Sequence, residues 1–327
     1  MDAPRLRSAP VDNPTDALLT ALAIARGQHG VLTRGQAKGS GLSDSDLRAL
    51  RRDGTFGHPY EGVYAVRSLF DPSESEGFLR TSVMAAQLAL GPRSIAGGET
   101  AARLWGMQGL PSWDGRTVHM IVPGPGTKRH RQRVTLHTWE VGPEEVTAAD
   151  GVIRVTVPGR TLRDVVLHVD RETAVSLIDS ALQRGLVREE GLEELALANG
   201  QRKGCVRTRP WWDLADGRAE SPLESWVRLA CADAGLPPTS LQRRFLDGTG
   251  RIIAVADLWW EDLQLIGEAD GLGPHGLPEV LARDRRRQNA LQLSHPGVRI
   301  VRFTWQDAMR PGYITAALAR AAGREGC

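Results

Sequence analysis

The sequence predicts a multi-domain α/β protein. Short capped helices and a hairpin open the chain, a mixed α/β middle region follows, and a C-terminal domain sets helices on both faces of a sheet. Three patterns carry this expectation. Brief amphipathic stretches crowd residues 17–54. Apolar strand-like runs at 118–122, 134–139 and 153–157 alternate with helical stretches. Beyond residue 251, two apolar strands flank a tight turn and lead into an arginine-rich helix and a third strand. At 327 residues with 41% hydrophobic and 24% charged content, the chain has room for two or three soluble domains. The expected divisions are a mobile tail at 1–14, a first domain at 15–80, a middle domain at 81–205 and a last domain at 206–327.

Residues 17–26 form a short apolar helix, and a second helical stretch runs from Thr33 to about Gly39. Ser43 followed three residues later by Asp46 is a capping-box variant, so a third helix starts there and stops at Gly54. The segment TFGHPYEGVYAV then supplies a turn between strand-forming residues. Three short helices followed by a hairpin describe a winged helix-turn-helix. With Gly62-Val63-Tyr64 closing the hairpin, the arrangement is similar to the N-terminal domain of abortive-infection (AbiEi-type) antitoxins. That resemblance implies DNA binding, with Asp44, Ser45, Arg48, Arg51 and Arg52 on or near the exposed face of the third helix. The alternative is a helix that only packs on its neighbours, since Asp44 and Asp46 repel phosphate.

In the middle region, helices are expected at 85–90, 98–105, 161–169 and 172–183. The loop PGPGTKRHRQR is rich in glycine and basic residues but lacks the spacing of a phosphate-binding loop. Its arginines suit backbone phosphate, or a solvated hairpin tip. Arg160 and Asp164, four apart, read as a structural ion pair. The basic, glycine-containing stretch 200–209 is the expected boundary before the last domain.

In that last domain a helix begins around Ser221-Pro222, with Glu220 either capping or preceding it, and carries Leu223, Trp226, Val227 and Ala230 as its apolar stripe. Glu224 sits at the stripe's edge. It either approaches a functional site or stabilises the helix N-terminus. Strand alternation puts Asp257 on one face with Ile253, Val255 and Trp259, and Glu268 with Ile266 and Asp270. A turn centred on Glu261 and Asp262 sets Asp257 across from Ile266 and makes Glu268 its diagonal neighbour, roughly 7–8 Å away. Carboxylates in otherwise apolar strands are costly unless an ion, a pair or a proton compensates them. On the helix 278–293, spacing groups Val280, Leu281, Asp284, Gln288 and Leu291 on one face, toward the sheet, with Arg285 and Arg286 projecting away.

Asp257, Glu268-Ala269-Asp270-Gly271, His275, the run Arg283-Asp284-Arg285-Arg286-Arg287-Gln288-Asn289, Val301-Arg302-Phe303-Thr304-Trp305 and the upstream stretch 219–225 together resemble the very-short-patch-repair-like branch of the PD-(D/E)xK nucleases. The resemblance covers about the last third of the chain. It implies a restriction-endonuclease-like α/β/α domain and Mg²⁺- or Mn²⁺-dependent phosphodiester cleavage. Asp257, Glu268 and Asp270 would be the metal ligands, Glu224 would approach the site and Gln288 would orient a phosphate or water. His275 is either a general acid or phosphate ligand or an ordinary loop residue, and Arg285 and Arg286 either contact nucleic acid or only solvate their helix. Asp270 stands where the superfamily carries its lysine. The rival reading is an antitoxin-type repressor with a cognate toxin protein as partner and a non-catalytic C-terminal domain.

A net charge of +2 confines any nucleic-acid surface to local patches. Three scattered cysteines lack metal-ligand spacing, and no apolar run spans a membrane. With no signal-peptide pattern, a cytoplasmic location is expected.

Overall fold

A computed structural model describes residues 14–123, 132–270, 278–321 and 323, and for 278–284 the backbone only. The tail 1–13, the basic loop 124–131 and His275 lie outside the described residues. The architecture is mixed α/β, with three sheets divided between two compact units.

The first unit contains residues 1–106 and 111–164. It opens with α1 (Pro14–Arg26), β1 (Val31–Thr33), α2 (Arg34–Gly39), α3 (Asp44–Arg52), β2 (Phe56–Tyr60) and β3 (Val63–Val66). The strands form an antiparallel sheet in the order β1-β3-β2. Two capping boxes start the middle helices: Thr33 with Gln36, and Ser43 with Asp46. Ala21, Leu32, Leu47, Phe56 and Val66 close the core beneath them.

Next come α4 (Ser75–Leu90), β4 (Ile95–Ala96), α5 (Gly98–Leu104), β5 (Val118–Ile121), β6 (Val134–His137), β7 (Val146–Ala149), β8 (Ile153–Thr156) and α6 (Pro158–Val166), with the sheet ordered β6-β5-β4-β8-β7. The expected helix at 85–90 is the end of a longer one. The division expected at 80/81 falls inside α4, because α4 serves both sheets. The Thr81 hydroxyl donates to the His29 carbonyl at 2.8 Å, while the Gln87 amide donates to the Arg154 carbonyl. Arg160 and Asp164 form the expected ion pair at 3.0 Å, wholly buried, and Glu145 completes it from the other side of Arg160.

The second unit contains 107–110 and 165–327. Its elements are α7 (Arg171–Gln183), α8 (Leu192–Leu197), α9 (Cys205–Trp212), α10 (Pro222–Asp233), β9 (Ser240–Leu246), β10 (Ile252–Trp260), β11 (Leu265–Ala269), α11 (Pro278–Ser294), β12 (Arg299–Phe303), α12 (Trp305–Ala308) and α13 (Tyr313–Ala321). The expected boundary at 205/206 is not where the chain divides, and most of 200–209 lies in or beside α9. The reason is Asp179 of α7. It is buried, and it accepts from the Ser225 hydroxyl at 2.7 Å and Arg228 at 2.8 Å, both on α10. Two helices tied through a buried acid stay together.

The second unit's sheet runs β12-β11-β10-β9. Strands β9–β11 are antiparallel, and β12 joins β11 in parallel after the α11 crossover. Leu223, Val227 and Cys231 of α10 pack with Leu258, Trp260, Leu265 and Phe303. Leu291 of α11 packs in a separate cluster with Phe245, Trp259 and Ile266. Helix, sheet and helix therefore make three layers.

Candidate functional site

The acidic cluster of the second unit grows from β10 and β11. Leu258 pairs with Gly267, Trp259 with Ile266 and Trp260 with Leu265. Asp257 is therefore not across from Ile266. The reversal occupies 261–264, a four-residue connection centred one residue later than expected, so the register moves by two. Same-face placement survives because strand side chains alternate with period two. Continuing the register brings Asp257 opposite Glu268, nearer than the expected diagonal. At that point the Asp257 side chain enters the backbone pairing itself, with its Oδ2 accepting the Ala269 N–H at 2.8 Å.

Glu268 is buried, yet both of its oxygens are engaged by guanidinium groups. Arg287 of α11 reaches Oε1 at 2.5 Å, and Arg302 of β12 reaches Oε2 at 3.0 Å. Arg302 is delivered by strand pairing, since it is the parallel register partner of Glu268. Its other terminal nitrogen lies 3.3 Å from half-exposed Asp270. On the opposite flank Ser221, not Glu220, caps α10. Glu224 is buried, and its Oε2 accepts the Glu220 N–H and the Gln242 amide, each at 2.9 Å. Gln242 also helps to hold the Asp257 carboxyl down against the effect of burial. Gln242 adopts φ +52° inside β9, a left-handed conformation that costs a non-glycine residue about 1–3 kcal/mol.

Burial dominates the electrostatics. Desolvation pushes Asp257 up to about 6, against the pull of the Ala269 N–H and with a further push from Glu224. Desolvation likewise raises Glu268, opposed by Arg287 and Arg302, and raises Glu224. Three neighbouring acids thus all hold protons more tightly than usual.

The structure joins Glu268 and Asp270 through Arg302, sets Asp257 opposite Glu268 in the continued register, and holds Glu224 on Gln242 of the adjoining strand. It does not bring Gln288 there. Gln288 is exposed, in a surface depression with Gln292, Val298 and Arg299. The half-buried Arg287, one residue back and in phase with buried Leu291, holds the inward position. Arg285 and Arg286 are exposed, as expected. Sequence reasoning missed Gln242, Arg287 and Arg302 as members of the network. The (i, i+4) spacing of Arg287 to Leu291 and the strand alternation of Arg302 were the available signals.

An oxygen-rich set suits Mg²⁺ in kind. The arrangement does not. Both Glu268 oxygens and one oxygen each of Glu224, Asp257 and Asp270 already receive protein donors, and among the described residues no three His, Cys, Asp or Glu side chains converge to hold an ion. Two arginines supply the positive charge at Glu268 that a divalent ion would bring.

A second candidate surface lies on α3. Arg48, Arg51 and Arg52 are exposed and line one recess, and none forms an ion pair among the described residues. Three acids lie nearby, and each is already engaged, Asp53 by the Thr55 N–H at 2.9 Å. Asp44 binds Arg34 at 2.8 Å and Lys38 at 3.1 Å, and the hydrogen bond from Arg34 holds its carboxyl below the usual range. Asp46 turns back onto Ser43.

No family model matches the chain. Two uncharacterized Mycobacterium tuberculosis proteins, Rv2248 of strain H37Rv and MT2308 of strain CDC 1551/Oshkosh, are each 29% identical over 280 residues, covering 85% of this chain and 97% of theirs. The crystal structure of the RV2827C protein from Mycobacterium tuberculosis aligns with 70% of this chain and 84% of its own, at a TM-score of 0.40 and 17% identity.

Proposed function

We propose that the chain binds duplex DNA through its first 66 residues, read as a winged helix-turn-helix whose α3 enters the major groove and whose β2–β3 hairpin is the wing. We read the protein as a repressor of the abortive-infection antitoxin type. Its C-terminal domain is then restriction-endonuclease-like in architecture without cleaving DNA, and its protein partner is a cognate toxin. One observation carries this reading: three arginines without an ion pair among the described residues stand at i, i+3 and i+4 on an exposed helix, with Asp44 already paired to Arg34 and Lys38. Like charges gathered without partners await an anion, and DNA supplies phosphates at the spacing of a helix in its groove. Fluorescence anisotropy with a duplex oligonucleotide at two salt concentrations tests it. Arg48→Ala and Arg51→Ala should each weaken binding, and unchanged affinity in both variants returns α3 to a packing role.

The arginine-held Glu268 favours the regulator over metal-dependent cleavage. One observation supports the second reading, a nuclease. Buried Glu224, Asp257 and Glu268 all carry raised pKa values, as in sites awaiting a cation. For Mg²⁺ or Mn²⁺ to enter, Arg287 and Arg302 must first leave Glu268. Plasmid cleavage with either ion against chelator, repeated with Asp257→Ala, separates the two. Nicking by the wild type that the variant loses establishes the nuclease.

A further inference from the structure

The first unit holds a second recess, separate from the arginines of α3. A cavity of about 490 Å³ opens at the base of the β2–β3 hairpin, where β2 meets α4 and the loop before β5. This size falls within the usual range for small-molecule sites. Its walls include half-buried Tyr60, Phe70 and Phe78, and its rim carries Arg67, Arg116 and Arg133. Phe70 and Phe78 are stacked, with centroids 5.9 Å apart and planes 18° from parallel. Among the described residues no acid lines the cavity. The three rim arginines are exposed and form no ion pair among the described residues. The acids beside them in sequence are held by local hydrogen bonds, and Asp114 also feels the charge of Arg116. Asp71 accepts from Ser73, and Asp114 accepts the Arg116 and Thr117 amides at 2.8 Å each.

The geometry points to a binding site for a small planar aromatic carboxylate. Aromatic walls favour a flat apolar body through offset or edge-to-face contact. Three guanidinium groups with no ion pair among the described residues favour a single carboxylate at the mouth, received by charge-assisted hydrogen bonds. A cationic ligand is repelled by the same groups, and a neutral one leaves them uncompensated. A peptide or a second copy of the chain would need an acid placed over an aromatic side chain to satisfy both features.

Isothermal titration of the full-length protein with 2-naphthoate tests the site, with 2-naphthalenemethanol as the neutral match. Saturable one-to-one binding of the acid is expected, at least tenfold tighter than the alcohol. Arg116→Gln combined with Arg133→Gln should weaken the acid at least tenfold while leaving the circular dichroism spectrum unchanged. Ser82→Trp, which fills the cavity from α4, should abolish binding without touching the arginines. The proposal fails if the acid shows no saturable binding up to its solubility, or if acid and alcohol bind alike. It also fails if both variants bind as the wild type does, which would put the acid elsewhere. Concentration-dependent self-association that the arginine pair abolishes would assign the surface to a second copy and overturn it too.

Discussion

Asp257 shows how a single side chain can be both costly and useful. Its carboxyl is pushed up to about 6, chiefly by burial. A folded-state value above the unfolded one means the native protein binds the proton more tightly. Native stability is then greatest below the unfolded value near 4 and falls as pH rises from there through about 6. A shift of this size corresponds to at most about 3 kcal/mol at neutral pH. Asp257→Asn, which can still accept the Ala269 N–H, is therefore expected to raise stability at pH 7 in the presence of chelator and to flatten the pH profile between 4 and 7. Urea titrations across that range decide it, and a variant less stable at pH 7 would mean the charge is fully compensated. Glu268 makes the opposite case. Arg287→Ala removes one of the two cations on a buried carboxylate, and it should cost about 1–3 kcal/mol, the partial exposure of Arg287 reducing the usual penalty.

At the scale of elements, two helices illustrate how local chemistry sets what a surface can do. On α3 the capping box consumes Asp46, and the α2 cations consume Asp44, leaving arginine alone on the outer face. Ser43→Ala should cost about 1 kcal/mol of stability, read by urea denaturation, because the Asp46 amide at the helix start loses its acceptor. On α6 the Arg160 guanidinium is enclosed between Asp164 and Glu145. Arg160→Ala removes a buried cation from two acids, and a loss of about 3 kcal/mol is expected, measurable by the same method. The sequence already disclosed the Arg160–Asp164 pair through its spacing. It could not disclose Glu145, which lies on a separate stretch of chain.

For the whole molecule, a net charge of +2 means that no general attraction to DNA supplements the local patch. If three arginines of α3 make the phosphate contacts, the logarithm of affinity should fall with the logarithm of salt at a slope of about −3. Arg51→Ala should reduce that slope by about one. A slope near −10 would point to a far larger surface. Mg²⁺ or Mn²⁺ should leave the thermal midpoint of the wild-type protein unchanged, since linkage requires binding to the native state and Arg287 and Arg302 already satisfy Glu268. A metal-dependent rise seen by calorimetry would reverse the order of the two functional readings.

Sequence alone determined the features that depend on neighbours along the chain. These were the capped start of α3, the alternation that puts Asp257 and Glu268 on one face, and the i, i+4 pairing on α6. Their interactions span only a few residues, so spacing encodes them. Tertiary structure decided what depends on distant partners. The β10–β11 register moved by two because the turn is centred one residue later, and period two cannot register that shift as an error. The inward-facing residue of α11 is Arg287 rather than Gln288, because helical phase relative to the sheet is set by which side chain finds a buried charge. The split between units follows Asp179, whose partners Ser225 and Arg228 lie more than forty residues away along the chain. That Glu268 faces guanidinium groups follows from β12 pairing in parallel beside β11. That pairing carries Arg302 to Glu268, and no local pattern in either strand specifies it.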